Sequence, residues 1–144
     1  LPVVHLRWFP QSEVDFATAL DALIAAKSEG KVRHIALSNV SVPQLEQALA
    51  KTPIVAVQNP FSAGVNDAGT EALLKACEQR QIAFIPYSLP SVAAGVRTYD
   101  ATAKRLNCSP AQLTIAWELA RSPVMLPIPG TSKVTHLEEN LGAV

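Results

Sequence analysis

Short apolar runs rich in β-branched residues alternate with amphipathic helical segments along this chain of 144 residues. The apolar runs cover residues 3–7, 32–37, 54–57, 82–85 and 124–126. Strands that alternate with helices predict βαβ units and a parallel sheet. The runs are apolar on both sides, which is typical of strands covered by helices on one face and by a barrel interior on the other. The pattern predicts an α/β fold and leaves an open doubly wound sheet and a barrel about equally favoured.

Local signals mark the ends of several predicted helices. The apolar side chains of residues 16–27 recur at helical spacing, and Gly30 follows at a position that favours glycine. Ser41 is placed to cap the next helix, and Ser109 to cap a later one that ends near Ala120. Further helices are predicted over residues 69–80, 100–106 and 134–141.

The composition excludes several classes of function. Charged residues make up only 17% of the chain, the formal net charge is zero, and no cluster of Lys and Arg marks a nucleic-acid surface. No run approaches the roughly 18 apolar residues of a membrane helix, and no secretory signal pattern is visible. Cys77 and Cys108 lack CxxC spacing and are expected to be buried or half-buried free thiols. We expect one domain over residues 1–144, in the cytoplasm, with a small-molecule ligand and with no nucleic acid or membrane as partner.

Residues 126–140 predict an anion site near the end of the chain. An apolar strand end runs into the turn Pro129-Gly130, then into the hydroxyl pair Thr131-Ser132, and then into a short helix. Such a turn directs free backbone N–H groups and a helix N-terminus toward one point, which suits an anion. A loop that binds nothing is the alternative interpretation.

Several segments in uninterrupted order resemble the aldo-keto reductases, a family of NADP(H)-dependent enzymes built on a (β/α)₈ barrel. The matching segments are GKVRHIALSNV at residues 30–40, IVAVQNP at 54–60, IAFIPYSL at 82–89, SPAQLTIAW at 109–117, and residues 126–140. In the family these segments belong to the second half of the barrel. The resemblance therefore implies a partial TIM barrel of about five parallel strands alternating with helices.

The resemblance implies a site for the nicotinamide end of NADP(H). Ser38 and Asn39 would hydrogen-bond the nicotinamide amide, with Gln58 beside them, and Tyr87 would stack on the nicotinamide ring. These residues end or follow predicted strands, which is where barrel enzymes place their chemistry.

The remainder of the cofactor would lie on the terminal segment. By the same resemblance, Thr131 and neighbouring backbone amides would hold phosphate, and Glu139 and Asn140 would bind adenine. Many members carry a lysine at the position of Gly130 and an arginine at that of His136, so the preference for NADP over NAD stays open. The predicted cofactor residues of this segment are Gly130, Thr131, Ser132, Lys133, His136, Glu139 and Asn140.

The catalytic residues show the largest departure from the family. Its catalytic tyrosine, lysine and aspartate belong to the first half of the barrel, and its catalytic histidine aligns with Arg7. His5 lies two residues earlier, on the same face of the strand. The catalytic candidates are therefore Arg7, His5 and Tyr87, with water or Tyr87 as the proton source. General acid catalysis contributes on the order of 10²–10⁴-fold, so carbonyl reduction is expected to be weak or absent.

Two alternatives stay open. In a hydrolase of phosphate esters or other anionic esters, Arg7 and the amides of Gly130 and Thr131 would stabilise developing charge. His5 or a bound divalent metal would then activate water, although the three histidines lack the spacing of a metal motif. The other alternative is a non-catalytic binding protein or fragment.

Half a barrel also predicts self-association. Five parallel strands cut from a closed barrel leave two unpaired edges and an open apolar interior, and unpaired edges invite pairing with another chain. We expect a homo-oligomer, most simply a twofold dimer.

Overall fold

The computed structural model describes residues 1–62, 67–87 and 97–143. Within these ranges strands and helices alternate in the predicted order. The strands are β1 (Val3–Arg7), β2 (His34–Ser38), β3 (Ile54–Pro60) and β4 (Ala83–Tyr87). The helices are α1 (Phe16–Ser28), α2 (Val42–Leu49), α3 (Ala68–Gln79), α4 (Arg97–Arg105), α5 (Pro110–Arg121) and α6 (Val134–Leu141). The resemblance at residues 88 and 89 lies outside the described residues.

The four strands form one parallel sheet in the order β1-β2-β3-β4. Neighbours in the sequence are therefore neighbours in the sheet, and all four strands end at the same edge. The predicted parallel α/β architecture is confirmed. β3 runs on to Pro60, beyond the predicted end at Val57, because Gln58 and Pro60 pair with Ile85 and Tyr87 of β4.

The fifth predicted strand is reduced to a single parallel bridge between Phe84 and Met125. The Phe84 N–H donates to the Val124 carbonyl at 2.8 Å, and the Leu126 N–H donates to the Phe84 carbonyl at 2.8 Å. The next donor that β4 would direct at the Leu126 carbonyl belongs to Pro86, which has no N–H to continue the ladder. The segment lies beside β4 as expected, but the prediction of a full strand over residues 124–126 was wrong.

The main core lies between the sheet and the helices α1, α2 and α3. Strand residues that face this layer alternate with residues that face the other side, except in β3, where a register shift pairs Ile54 and Val57 with Ile35 and Leu37 of β2. The core side chains with no more than 1% exposure include Leu20, Ile35, Leu37, Leu45, Val57, Phe61, Leu73 and Phe84. α5 joins the same core through Trp117, whose ring stacks on Phe61 at 5.5 Å between centroids.

The predicted helix starts at Ser41 and Ser109 are confirmed. Both serines are N-cap residues, and the Ser109 hydroxyl accepts from the Gln112 N–H at 3.2 Å. α4 begins at Arg97 rather than at residue 100, and α6 has the predicted bounds. Across the described ranges, no helix combines the length and apolarity needed to cross a membrane.

Candidate functional site

A row of polar side chains crosses the carboxyl ends of three strands. Arg7 on β1 lies opposite Ser38 on β2, and Ser38 lies opposite Gln58 on β3. Register partners on neighbouring strands share one face of a sheet. That face is the one turned away from the helices, because Leu37 and Val57 fill the opposite side. The structure thus places three of the predicted site residues side by side.

Tyr87 and Asn39 are joined across the top of this face. The Tyr87 hydroxyl donates to Oδ1 of Asn39 at 2.5 Å, which connects the end of β4 to the loop after β2. Asn39 adopts φ of 60°, a left-handed conformation that asparagine tolerates better than most residues. The Asn39 N–H donates to the Gln58 carbonyl at 3.0 Å. Tyr87 and Asn39, two of the predicted nicotinamide contacts, are therefore held in place by hydrogen bonds within the fold.

Asn59 supports this arrangement from the helix side of the sheet. Its Oδ1 accepts from the Val40 N–H at 3.1 Å, and its Nδ2 donates to the Val40 carbonyl at 2.9 Å. The side chain is buried, so both backbone groups of Val40 are satisfied away from water. This pair fixes the turn that presents Ser38 and Asn39.

Polar atoms next to this network lack partners of their own. Among the residues described, the Ser38 hydroxyl, the Gln58 side-chain amide and Nδ2 of Asn39 make no hydrogen bond to another side chain or backbone group. Hydroxyl and amide groups of this kind can donate to and accept from an amide ligand.

His5 and Arg7 share the inner face of β1, as predicted. His5 lies opposite Ala36, and its Nδ1 is buried with no hydrogen-bond partner among the described residues. Arg7 is exposed, and its guanidinium lies over the Phe9 ring at 4.9 Å from the centroid. The geometry places Arg7 at the rim and His5 one layer deeper, and it leaves their catalytic roles as predictions.

The predicted phosphate segment lies outside the packed sheet. Thr131, Ser132, Lys133 and His136 are all exposed. The Thr131 hydroxyl accepts from the Lys133 N–H at 3.1 Å, so this N–H is already used within the turn. No side chain caps the N-terminus of α6 among the described residues. The amides of its first turn, rather than that of Lys133, are therefore the donors left for an anion.

The predicted adenine residues lie at the other end of α6. Glu139 and Asn140 are half-buried, and the Glu139 carbonyl accepts from Nε2 of Gln112 at 3.0 Å. This bond ties α6 to the first turn of α5. Gly130 precedes the helix, and a Cβ added there would meet nothing within 4 Å.

Glu118 on α5 is a candidate that the sequence interpretation missed. Its side chain is only 7% exposed, and burial raises the pKa of its carboxyl group to about 7. It lines a cavity together with Tyr87 and Gly130. The available signal was a single acidic residue inside the otherwise uncharged run LTIAWEL at residues 113–119.

The described residues contain no group of three or more His, Cys, Asp and Glu side chains arranged to hold a metal. The metal-assisted hydrolase interpretation gains no support from the geometry. Cys77 is buried and Cys108 half-buried, and both are free thiols, as predicted. Burial raises the pKa of the Cys77 thiol to about 12.

Comparison with known proteins decides the family. The profile of the aldo/keto reductase family matches residues 3–98 and 89–144, which together cover nearly the whole chain. The chain belongs to the aldo-keto reductase family. Its curated relatives include an uncharacterized oxidoreductase of Schizosaccharomyces pombe, 48% identical over 84% of this chain and 40% of that protein. Pyridoxine 4-dehydrogenase of Escherichia coli is 34% identical over 99% of this chain and 52% of its own length.

Solved structures place this aldo-keto reductase chain in the same fold. A thermostable aldo-keto reductase crystallised with epalrestat superposes with a TM-score of 0.78 at 28% identity, over 99% of this chain and 54% of that one. An aldo/keto reductase of Klebsiella pneumoniae, solved with NADP and acetate, gives a TM-score of 0.76 at 24% identity, over 99% and 53%. The chain spans about half the length of the relatives it matches, and its sheet is part of a TIM barrel.

Proposed function

We propose that this chain binds NADP(H) at the carboxyl ends of its strands, and that these 144 residues alone support little or no carbonyl reduction. Family membership supports an oxidoreductase role, and the K. pneumoniae relative was solved with NADP. The observation that carries the proposal is the hydrogen bond between Tyr87 and Asn39 above the row Arg7, Ser38 and Gln58.

The residues at the strand ends fit the nicotinamide group. The Tyr87 hydroxyl is bound to Oδ1 of Asn39, which leaves Nδ2 of Asn39 to donate to a carboxamide oxygen. Ser38 and Gln58 provide further donors and acceptors beside it. Tyr87 offers an aromatic face whose orientation the same hydrogen bond restrains. When bound, the nicotinamide would supply a hydride.

Carbonyl reduction needs a proton as well as a hydride, and none of the three candidate proton donors at this site is well suited to supply it. The Tyr87 proton points at Asn39, so transferring it to a substrate would break an existing hydrogen bond. The guanidinium group of Arg7 carries a positive charge that can stabilise an oxyanion, and arginine does not serve as a proton donor to substrates. His5 lies one layer deeper than the strand ends. Carbonyl reduction by this chain is therefore proposed to lack an efficient general acid.

Fluorescence titration with NADPH tests the cofactor proposal. Asn39→Ala should weaken binding by about tenfold, the loss expected when one good hydrogen bond is removed. Asn107→Ala is the matched control, because Asn107 is also left-handed, with φ of 53°, but lies after α4. Wild-type affinity should persist in the control. Absence of binding up to millimolar NADPH, or equal loss in both variants, would overturn the proposal.

We further propose that a second copy of this chain covers the inner face of the sheet in solution. Within the described residues β1 hydrogen-bonds only to β2, so its outer edge is unpaired. The inner face carries half-buried Ile85 and Tyr87. Light scattering should give twice the mass of 15.4 kDa. A monomeric mass at high protein concentration would contradict the dimer without affecting the cofactor titration.

A further inference from the structure

A cavity of about 310 Å³ lies between the end of β4, helix α5 and the residues before α6. It shares Tyr87 and Gly130 with the proposed cofactor site but includes none of Arg7, Ser38 and Gln58, and Thr114 and Glu118 of α5 line its helix side. Its lining residues are Pro86, Tyr87, Thr114, Glu118, Ile128, Pro129 and Gly130. A volume of this size admits a small organic molecule.

The Glu118 carboxyl group is the dominant polar feature of this cavity. Thr114 and Glu118 are four residues apart on α5 and therefore lie on the same face of the helix. Glu118 is 7% exposed, and in the described part of the chain nothing donates a hydrogen bond to its carboxylate. A buried carboxylate without a partner is costly unless it is protonated or paired with a cation.

Arg121, three residues further along α5, and Tyr99 on α4 do not neutralise Glu118. On the same helix, Arg121 donates to both carboxylate oxygens of Glu71 at 2.7 Å and lies over the Trp117 ring. On α4, the pKa of Tyr99 is raised by burial and by the negative charge of Glu118.

The remaining lining suits an amine with a compact apolar body. The Thr114 hydroxyl donates to the Pro110 carbonyl at 2.8 Å, which leaves its oxygen free to accept from a ligand. The Tyr87 hydroxyl is engaged by Asn39, so the ring is what it offers, and an aromatic face attracts cations. Two prolines and Ile128 form the apolar walls.

We infer that this cavity binds a small organic ammonium ion, with Glu118 as its counter-ion and Thr114 as a second acceptor. The site is distinct in chemistry from the proposed cofactor site, which must attract a phosphate-bearing anion. Tyr87 and Gly130 belong to both sites, so an ammonium ligand and NADP(H) would influence each other's binding.

Titration with benzylammonium, followed by protein NMR chemical shifts, tests this site in the chain without cofactor. Benzyl alcohol is the matched neutral probe. Benzylammonium should bind in the millimolar range, and binding should strengthen from about pH 6 to about pH 8, because the cation selects the ionised carboxylate. The alcohol should show no such pH dependence.

Three variants sharpen the test. Glu118→Gln should weaken benzylammonium at least about tenfold while leaving the weak binding of benzyl alcohol unchanged. Gly130→Lys should also abolish benzylammonium binding. The space beside Gly130 is open, so the lysine ammonium group could occupy the cavity in place of the ligand. Glu29→Gln, an exposed change beside Gly30, should behave as wild type.

Equal benzylammonium affinity in wild type and Glu118→Gln would overturn the inference, as would no binding at about pH 8. Neither result depends on the NADPH titration. The amide variant removes a buried charge, so loss of folding is not expected to confound the comparison.

Discussion

The carboxyl ends of the strands and the terminal segment, residues 126–143, are predicted to bind different parts of the same cofactor. The fold holds the side chains at the strand ends more firmly than those of the terminal segment. At the strand ends, Asn59 fixes the Val40 backbone and Tyr87 fixes Asn39. The terminal segment is largely exposed, and one side-chain bond from Gln112 ties it to α5. Its exposed apolar residues are Leu126, Ile128, Val134, Leu137 and Leu141.

The difference indicates where the entropy cost of binding falls. Groups already held in place lose little freedom when a ligand arrives, whereas exposed side chains must be ordered at that moment. We expect the strand ends to set the orientation of the nicotinamide. We expect the terminal segment to contribute affinity for the cofactor that depends on how well ordered the segment is.

The largest effect is expected at Phe61, which directly follows β3. Its ring is fully buried and contacts Phe84 edge-on at 5.7 Å and Trp117 by stacking. Phe61→Ala should lower the free energy of unfolding by about 4 kcal/mol, from lost burial and the cavity left behind. Urea denaturation measures it. A loss below about 1 kcal/mol would mean that the strand ends are not the rigid region proposed here.

Glu118 lies between the two regions and should give a pH-dependent effect. Burial raises its folded pKa from the ordinary value of 4.5 to about 7, so the stability it contributes is present below about pH 4.5 and is lost as pH rises through 7. Each pKa unit corresponds to about 1.4 kcal/mol, so the full loss is at most about 3 to 4 kcal/mol.

Glu118→Gln should therefore stabilise the protein at about pH 8 and have a smaller effect at about pH 5. Thermal unfolding of the wild type and the variant at both pH values checks the sign of the change in stability. A variant that is less stable than wild type at the higher pH would show that the carboxylate is stabilised by a partner in the fold.

Asn59 should give an intermediate loss of about 2 kcal/mol. Asn59→Ala leaves the buried N–H and carbonyl of Val40 without partners, and each such group is costly. Chemical denaturation and the NADPH titration should both respond, because the turn at Asn39 loses its support. Asn140→Ala, in the terminal segment, serves as the contrast and should change stability by less than about 0.5 kcal/mol.

The smallest effect is expected at Leu137 of α6, which is 51% exposed. Leu137→Gln should change stability by no more than about 0.5 kcal/mol, as for most surface positions. Thermal unfolding and light scattering should be read together. A larger loss accompanied by a fall in mass would instead place α6 in the contact between two copies.

Several features could be predicted because their signals are local. A period of two for strands and near 3.6 for helices predicted the order of elements, and the serine caps predicted where α2 and α5 begin. Strand alternation likewise placed His5 and Arg7 on one face. The segment around Met125 was predicted as a full strand, but it forms a single bridge. Apolar composition does not show how many backbone N–H groups will form hydrogen bonds to a neighbouring strand.

The sequence by itself determined the alternation of strands and helices, the family, and the polar residues at the strand ends, since each depends on neighbours along the chain. Only the tertiary structure joined Tyr87 to Asn39 across 48 residues. It alone buried Glu118 in a cavity shared with Gly130 and left residues 131–138 exposed. The reason is that burial and long-range hydrogen bonds depend on which surfaces meet, and short-range patterns carry no record of that.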